Sequence, residues 1–206
     1  MIRAQHNPLV VGFFRLFTHL KMKQSFQSIK IEATIDVHNS SVLLIANHTG
    51  WWDGFWALLL STTVFRKKYH FMMLEAELRK RWLFNYSGGF SVAHGSRSSI
   101  ESLNYSADIL QDKSNLVLLF PQAKMHSIYN DNLKFERGIE YILKRCHTKP
   151  KIIFLATLID YFEHPKPDVY FYISEYESEK QDVKSIEMAY NSFIQSKVAL
   201  HKQMYK

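Results

Sequence analysis

The stretch VLLIANHTGWWDGFW, residues 42–56, places a histidine and an aspartate inside the most apolar part of the chain. His48 and Asp53 are separated by a short turn that contains Gly50. Histidine is the commonest general base, because its pKa lies near neutrality. A carboxylate that accepts the proton of one ring nitrogen holds the imidazole in one tautomer and leaves the other nitrogen free. Since glycine makes a turn inexpensive, we expect the helix that follows to return Asp53 to His48.

The same spacing has an alternative explanation. Asp53 would cap its helix, and His48 would be a core histidine bonded to a backbone carbonyl. Taken alone, the spacing favours this alternative. The rest of the chain favours the catalytic pair.

The elements that must position the pair follow from the apolar pattern. Continuous apolar runs predict buried strands, and they alternate with segments of helical periodicity. Alternation of this kind predicts an α/β fold: a single domain with a mixed, largely parallel sheet flanked by helices. Sites in such sheets gather where strands end, and two polar loops, NHTGWWD and PQAKMHS, both follow strands. The predicted strands cover residues 42–46, 69–74, 115–120, 151–159 and 168–176 and a short run near Gly89, and the predicted helices cover about 53–64, 75–84, 99–113, 135–146 and 181–204.

The charge of the chain is uneven. The net charge is +7, and residues 1–103 hold 12 Lys and Arg against 6 Asp and Glu. A basic, aromatic-rich half suits an anionic partner such as lipid headgroups, with an ordinary solvated surface as the alternative. No RNA-binding motif or long basic stripe is present, so we expect no nucleic-acid partner.

Residues 7–23, NPLVVGFFRLFTHLKMK, predict an amphipathic helix in which Asn7 is the cap and Pro8 the first residue. Arg15 interrupts its apolar run, so the segment is too short to cross a bilayer but can lie on one. Packing on the protein's own core is the alternative. We therefore predict a membrane-surface segment at residues 1–30, a catalytic domain at residues 31–206, and a peripheral position on the cytoplasmic face of the cell membrane.

Cys146 is the single cysteine, which excludes an internal disulfide and fits a reducing compartment. A lone cysteine before a histidine could be a nucleophile, although more often such a residue has no special role. The spacing of cysteine and histidine shows no zinc pattern, so we predict no metal site.

The residues around His48 resemble those of a known family. Asn47, His48 and Asp53 match the NHxxxxD signature of the glycerolipid acyltransferases, whose best-known members are the lysophosphatidic acid (1-acylglycerol-3-phosphate) acyltransferases. Further blocks follow in the family's order, and over about residues 40–160 the chain resembles a divergent bacterial member of PlsC type. These blocks are GGFSVAHGSRSSIESL (88–103) for the second, NLVLLFPQAKMHS (115–127) for the third, usually FPEGTRS, LKFERGIEYI (133–142) for the helix start after it, and KIIFLATLI (151–159) for the fourth.

The resemblance implies transfer of a fatty acyl group from acyl-CoA or acyl-acyl carrier protein to a hydroxyl of a lipid acceptor, with no bound cofactor. His48 would be the base and Asp53 would orient it, in a turn supported by Asn47 and Gly50. The third block would hold the acceptor's phosphate. The expected acceptor-binding residues are Phe120, Pro121, Gln122, Lys124, His94 and Arg97. The expected apolar wall for the acyl chain is Trp51, Trp52, Phe55 and Trp56, for which core packing is the alternative.

The chain departs from the family pattern in its third block. Glu-Gly-Thr-Arg of the family is here Gln122, Ala123, Lys124 and Met125. The family's arginine is missing, and Lys124 can hold an anion only as a point charge. The sequence therefore supports acyl transfer better than it supports a glycerol phosphate acceptor. A non-catalytic lipid-binding relative and a thioesterase-like hydrolase that uses His48 toward water are the alternative functions.

Overall fold

The structure is a computed structural model that describes residues 1–93 and 96–204. Its centre is a seven-stranded sheet in the order β1-β7-β6-β2-β5-β3-β4. Neighbouring strands are parallel except β6 and β7, which are antiparallel, so the predicted mixed, largely parallel sheet is confirmed. The strands are β1 (Ile29–Ala33), β2 (Val42–Ala46), β3 (Lys68–Leu74), β4 (Gly89–Val92), β5 (Asn115–Leu119), β6 (Lys151–Asp160) and β7 (Asp168–Glu175).

Helices cover both faces of this sheet. The apolar run of β2 is buried at all five positions, and its side chains alternate between two hydrophobic clusters. Burial on both faces is the reason that the strand reads as a continuous apolar run. The helices are α1 (Pro8–Ser25), α2 (Asp53–Thr63), α3 (Glu75–Lys80), α4 (Ser96–Ile109), α5 (Gly138–Arg145) and α6 (Val183–His201), with a 3₁₀ turn at Trp82–Phe84.

The pattern of the chain did not predict β1. All five of its residues are exposed, and it alternates charged and apolar residues without a buried face. It pairs in parallel with β7, from Ile29 opposite Val169 to Ala33 opposite Ile173. Backbone pairing at the edge of the sheet holds this strand, and no buried face marks it in the sequence.

The predicted N-terminal helix is present, and Asn7 caps it by accepting from the backbone N–H of Leu9 at 2.9 Å. One face packs against α2, where the Phe14 ring lies 6.5 Å from that of Phe55. The face with Leu9, Phe13, Leu16 and Leu20 is exposed. No helix within residues 1–93 and 96–204 is long and apolar enough to cross a membrane. The division of the chain at residue 30 stays a prediction.

Candidate active site

His48 lies just beyond the carboxyl end of β2, a central strand of the sheet, and its side chain lines a cavity at that end. The preceding residue, Asn47, is buried and fixes this strand end to β6. Its amide donates to the carbonyl oxygen of Thr157 at 3.0 Å and accepts from the N–H of Thr157 at 2.9 Å. A pair of bonds between a side chain and a neighbouring strand holds the backbone before His48 in one position. The sequence pattern identified Asn47 but gave no sign of Thr157 as its partner.

Asp53 is the first residue of α2, and its carboxylate is directed back at the turn before the helix. Its Oδ2 lies 2.7 Å from Nδ1 of His48. The same oxygen accepts from the backbone N–H of Thr49 at 2.7 Å and from that of Gly50 at 2.9 Å. One carboxylate oxygen thus closes the turn and holds the imidazole.

These contacts select the tautomer of His48. A carboxylate oxygen only accepts hydrogen bonds, so the short contact with Asp53 requires a proton on Nδ1. In the neutral imidazole, Nε2 then carries the free lone pair. His48 also lines a cavity of the protein. Its side chain is 27% exposed, whereas the side chain of Asp53 is only 4% exposed. The geometry is that of a general base with a buried orienting acid.

The role of Gly50 differs from the one expected. Gly50 does not have a positive φ; within residues 1–93 and 96–204 the glycine with a positive φ is Gly88. The turn therefore does not need the conformational freedom of a glycine at position 50. A Cβ atom there would meet nothing within 4 Å, and Gly50 lines the cavity. What this residue contributes is its N–H to Asp53 and open space beside His48.

A cavity of about 1120 Å³ opens beside His48. Part of its wall is an aromatic cluster in which the Phe84 ring lies 5.0 Å from Phe14 and 6.1 Å from Phe55. Another part of the wall carries charged side chains from the loop after β5 and from the start of α5. A cavity of this kind can hold a long apolar chain while a polar group contacts charged residues. The charged lining residues are Glu77, Arg81, Lys124, Glu136 and Arg137.

Comparison with known proteins decides the family. A family model described as Acyltransferase matches residues 23–157, which is more than half of the chain. The chain belongs to the acyltransferase family. The prediction of an acyltransferase enzyme of this family is thereby confirmed. No curated protein matches the chain.

The fold of this acyltransferase is similar to a solved structure, that of the 1-acyl-sn-glycerophosphate (LPA) acyltransferase PlsC from Thermotoga maritima. The TM-score is 0.56 at 16% identity, and the match covers 95% of this chain and 81% of that one. At this identity the likeness concerns the fold. It confirms the predicted α/β architecture.

The third block of the acyltransferase lies against His48. The ring of Phe120 stacks on the imidazole at a centroid distance of 4.1 Å and an interplanar angle of 14°. The N–H of His126 donates to the carbonyl oxygen of His48 at 2.8 Å. Phe120 and Pro121 line the cavity. The loop therefore supports His48 from the side opposite the strand pairing, a role that the sequence did not indicate for Phe120.

The altered residues of the third block differ among themselves. Ala123 has φ +57°, the left-handed conformation that glycine adopts without strain. Lys124 is exposed and lines the cavity. Gln122 is 4% exposed, and neither atom of its amide has a hydrogen-bond partner among the described residues. The expectation of acceptor contact thus has direct geometric support for Lys124, whereas Gln122 does not line the cavity.

Of the four residues expected in the acyl wall, two line the cavity and two lie elsewhere. Trp51 and Phe55 line the cavity, and their rings are 4.6 Å apart. Trp52 and Trp56 instead point into the core, where each ring packs on Phe26 at 5.2 Å and 5.8 Å. Because residues four apart share a face of a helix, the four aromatic residues divide into two pairs on different sides of α2. Core packing is the correct explanation for Trp52 and Trp56.

Two expected acceptor residues come from the second block. His94 lies outside the described residues, as does the side chain of Arg97, whose backbone belongs to α4. Ser99, two residues further along the same helix, lines the cavity.

Arg137 is a cavity residue that sequence reasoning missed. It immediately precedes α5, and its neighbour Glu136 donates its backbone N–H to the carbonyl oxygen of Pro121 at 2.8 Å. This bond brings the start of α5 to the third block. Neither Lys124 nor Arg137 has a side-chain partner within the described parts of the chain, so both cations remain available to a ligand. The segment LKFERGIEYI was predicted as a helix start, and that prediction gave no role to its arginine.

Cys146 lies away from this site. It follows α5 and does not line the cavity. Burial, followed by the charge of Asp108, raises the pKa of its thiol to about 11. A thiol of this kind is protonated near neutral pH, which argues against a nucleophilic role.

Proposed function

We propose that this acyltransferase moves a fatty acyl group from acyl-CoA or acyl-acyl carrier protein to a hydroxyl of a glycerolipid-type acceptor at a membrane surface. The single observation that carries the proposal is the His48–Asp53 pair at the wall of a large, partly aromatic cavity. The carboxylate holds the proton of Nδ1, and Nε2 is the basic nitrogen that a substrate hydroxyl can reach.

The proposed reaction is a direct transfer. Nε2 of His48 removes the proton of the acceptor hydroxyl while its oxygen attacks the thioester carbonyl carbon. The tetrahedral intermediate collapses with cleavage of the carbon–sulfur bond, and the thiolate takes the proton from the imidazolium. An ester and a free thiol are the products. Asp53 stabilises the imidazolium that forms between the two steps, as a buried carboxylate does beside a catalytic histidine.

The cavity supports a donor with a long apolar chain. Its aromatic wall, from Phe14, Phe55 and Phe84, matches a hydrocarbon chain, and Trp51 would contact the chain nearer to His48. Buried Tyr69 also lines the cavity, and its hydroxyl donates to the carbonyl oxygen of Gly54 at 3.0 Å. Burial, reinforced by the charge of Asp53, raises the pKa of Tyr69 well above its usual value, so it stays an uncharged phenol.

The charged part of the cavity supports an anionic acceptor. Among the described residues, no side chain pairs with Lys124 or Arg137, whereas Arg81 already pairs with Glu77. In this proposal Arg137 takes the place of the arginine that the third block lacks, because a guanidinium can bind a phosphate with two hydrogen bonds. Glu136 also lines the cavity, and its negative charge would weaken the binding of a doubly charged anionic acceptor.

The exposed face of α1 supports attachment to a membrane surface. Leu9, Phe13, Leu16 and Leu20 are all more than half exposed, and basic Arg15, Lys21 and Lys23 lie on the same helix. An apolar stripe flanked by cations is typical of helices that lie in the interface of a bilayer. The cytoplasmic face of the cell membrane is the expected location, since the donors are formed there.

The test is a matrix of donors and acceptors with the purified full chain. Palmitoyl-CoA and palmitoyl-acyl carrier protein are each offered with anionic and neutral lysolipids, and free thiol and acylated product are measured together. We expect thiol and ester in equal amounts with anionic lysolipids. Thiol without ester would indicate a thioesterase, and the absence of both, with lipid binding retained, would indicate a non-catalytic lipid-binding relative.

Arg137→Gln tests the acceptor site separately. We expect the KM for an anionic lysolipid to rise about tenfold, because one charge-assisted hydrogen-bond pair is lost, while the KM for the donor is unchanged. Arg145→Gln, at the exposed end of the same helix, is the matched control. Equal effects of the two substitutions would contradict a direct role of Arg137.

A further inference from the structure

A second, smaller cavity of about 350 Å³ lies between α1 and α2. We call it the α1–α2 groove and define it by Arg15, Thr18 and His19 on α1 and by Leu58 and Thr62 on α2. Leu58 borders both this groove and the cavity at His48. Gly12 also lines the groove, and a Cβ atom there would meet nothing within 4 Å, so the groove is open at this point.

Thr18 gives the first indication of a ligand. Its side chain is buried, at 1% exposure, and its hydroxyl has no hydrogen-bond partner among the described residues. Hydroxyls in α2 behave differently: Thr62 and Thr63 donate to carbonyl oxygens one turn earlier, at 3.1 Å and 2.8 Å. A buried hydroxyl without a partner costs stability unless something in the cavity satisfies it.

The charge of the groove gives the second indication. Arg15 and His19 are exposed on the same side of α1, and no hydrogen bond or ion pair occupies either side chain in the described parts of the chain. No Asp or Glu occurs in α1, and Asp53, buried beside His48, is the acid of α2. The described residues that line the groove therefore offer hydrogen-bond donors and positive charge without a carboxylate to neutralise them. A tetrahedral oxyanion such as phosphate provides the missing acceptors.

The carbonyl end of α2 lies at the groove, and its partial negative charge is too small to prevent the binding of an anion. The last turn of a helix carries partial negative charge, which would repel an anion. The carbonyl oxygen of Leu60 accepts from the backbone N–H groups of Val64 and Phe65, and that of Ser61 accepts from the N–H of Lys67. The cations Arg66 and Lys67 follow directly in the chain. The full charge of Arg15 outweighs what remains of the helix dipole.

The position of the groove indicates where the phosphate comes from. At 3.6 residues per turn, Gly12, Arg15 and His19 follow the exposed stripe of Leu9, Phe13, Leu16 and Leu20 around one side of α1. Leu16 belongs both to this stripe and to the wall of the groove. If the stripe enters the apolar part of a bilayer, the groove faces the level of the headgroups.

We propose that the α1–α2 groove binds a phosphate group, with Arg15 as its ion pair and the hydroxyl of Thr18 as a hydrogen-bond donor. An anionic phospholipid headgroup and free inorganic phosphate share this chemistry. The lipid source rests on the proposed membrane attachment, but the site itself is independent of the acyl transfer chemistry at His48.

The experiment measures binding of the full chain to vesicles of phosphatidylcholine with and without phosphatidylglycerol, at constant salt. Arg15→Gln should weaken binding to the anionic vesicles about tenfold or more, because a direct charge-assisted bond is lost. The matched control is Lys21→Gln, which removes the same charge from the same helix outside the groove. It should weaken binding by at most about fivefold, the effect of one basic residue near an anionic surface.

Thr18→Val separates ligand binding from folding. The substitution keeps the shape of the side chain and removes the unpartnered hydroxyl, so the midpoint of urea unfolding should not fall below that of the wild type. Binding to anionic vesicles should nevertheless weaken about fivefold. A loss of stability with unchanged vesicle binding would overturn the role of Thr18.

A second arm identifies the source of the phosphate. Inorganic phosphate is titrated against the wild type and Arg15→Gln, and the melting temperature is followed. A rise in the wild type alone, with no preference for anionic vesicles, would support the site with free phosphate as its ligand. No rise together with equal vesicle losses in Arg15→Gln and Lys21→Gln would overturn the proposal. Thiol release from acyl-CoA with a soluble, short-chain acceptor is measured in parallel, so that failure of the groove and failure of catalysis are distinguished.

Discussion

Two histidine–aspartate pairs occur within residues 1–93 and 96–204, and they are built in opposite ways. In the first, Nδ1 of His48 contacts Oδ2 of Asp53 at 2.7 Å. In the second, Nδ1 of His201, at the end of α6, contacts Oδ2 of Asp160, at the end of β6. The second pair has a further partner, because the hydroxyl of Tyr172 lies 2.8 Å from Nε2 of His201.

The difference lies in which partner is buried. The His48 side chain is 27% exposed and its carboxylate is 4% exposed, whereas the His201 side chain is 8% exposed and the carboxylate of Asp160 is 38% exposed. In the first pair the carboxylate is hidden and the imidazole keeps one nitrogen for a substrate. In the second pair both nitrogens are occupied and the imidazole is inside the protein. A histidine–aspartate contact is therefore not sufficient for a general base, which also needs a second nitrogen that a substrate can reach.

The largest expected effect comes from removing each histidine in turn. His48→Ala should lower the rate of acyl transfer about 10²- to 10⁴-fold, because general-base assistance is lost. His201→Ala should leave the rate essentially unchanged. Thiol release from acyl-CoA under saturating acceptor measures both. A comparable loss of rate in the two variants would contradict a catalytic role for His48 that His201 does not share.

The second-largest expected effect on the rate comes from replacing each of the two carboxylates in turn. Asp53→Asn should lower the rate about 10- to 10³-fold, because the amide cannot fix the tautomer of His48 as the carboxylate does. Asp160→Asn should leave the rate unchanged. Steady-state kinetics and near-ultraviolet circular dichroism on both variants separate loss of chemistry from loss of fold. A fully active Asp53→Asn protein would be incompatible with an orienting role.

A third histidine, His70, contacts no carboxylate among the described residues; its Nδ1 lies 3.1 Å from the carbonyl oxygen of Lys68. His70 is buried, and desolvation, together with the nearby His6 and Lys68, lowers its pKa to about 4. The folded state thus holds this ring neutral over a range in which the unfolded chain takes up a proton. The contribution of His70 to stability should be complete above about pH 6.5 and should fall between about pH 6.5 and pH 4 by about 3 kcal/mol.

Urea unfolding of the chain with and without His70→Gln across this pH range measures the contribution of His70. The difference in unfolding free energy between the two proteins should follow the predicted curve, since titrating groups that do not interact with His70 cancel. Both proteins carry His6→Gln, because the ring of His6 lies 4.7 Å from that of His70. A difference that stays constant with pH would contradict the lowered pKa.

The structural pair should affect stability more than activity. His201→Ala leaves the buried hydroxyl of Tyr172 without its partner, which should cost about 1 to 3 kcal/mol of unfolding free energy. His48→Ala should cost less than this, because the buried carboxylate of Asp53 keeps the backbone N–H donors of Thr49 and Gly50. Equilibrium unfolding in urea compares the two. A larger loss of stability at His48 would reverse the assignment of the structural role.

The smallest predicted effect is a gain near His48. Ala123 has φ +57°, a conformation that glycine adopts without strain. Ala123→Gly should therefore raise the unfolding free energy by about 1 kcal/mol, the cost of a left-handed alanine less the added flexibility of the unfolded chain. The matched control is Ala93→Gly, since Ala93 is not among the described non-glycine residues with a positive φ. A loss of stability in Ala123→Gly would contradict the strain argument.

Local patterns predicted much of the fold. The runs at β2, β5 and β6 were assigned from burial on both faces, and their bounds agree with the structure within one residue. The edge strand β1 was not predicted, because its alternation of apolar and charged residues covers only five positions and none of them is buried. The helix after His48 was predicted, but not which of its aromatic residues reach the cavity, since that depends on what packs against each side of α2.

The sequence by itself determined the family, the α/β architecture and the contact between His48 and Asp53. That contact closes over five residues, so one strand end, one turn and one helix start are enough to encode it. The tertiary structure decided the rest: the clamp between Asn47 and Thr157, the approach of Arg137 to the third block, and the second pair at His201 and Asp160. Each of these depends on how distant segments pair in the sheet, and pairing of that kind leaves no spacing in the sequence from which it can be read.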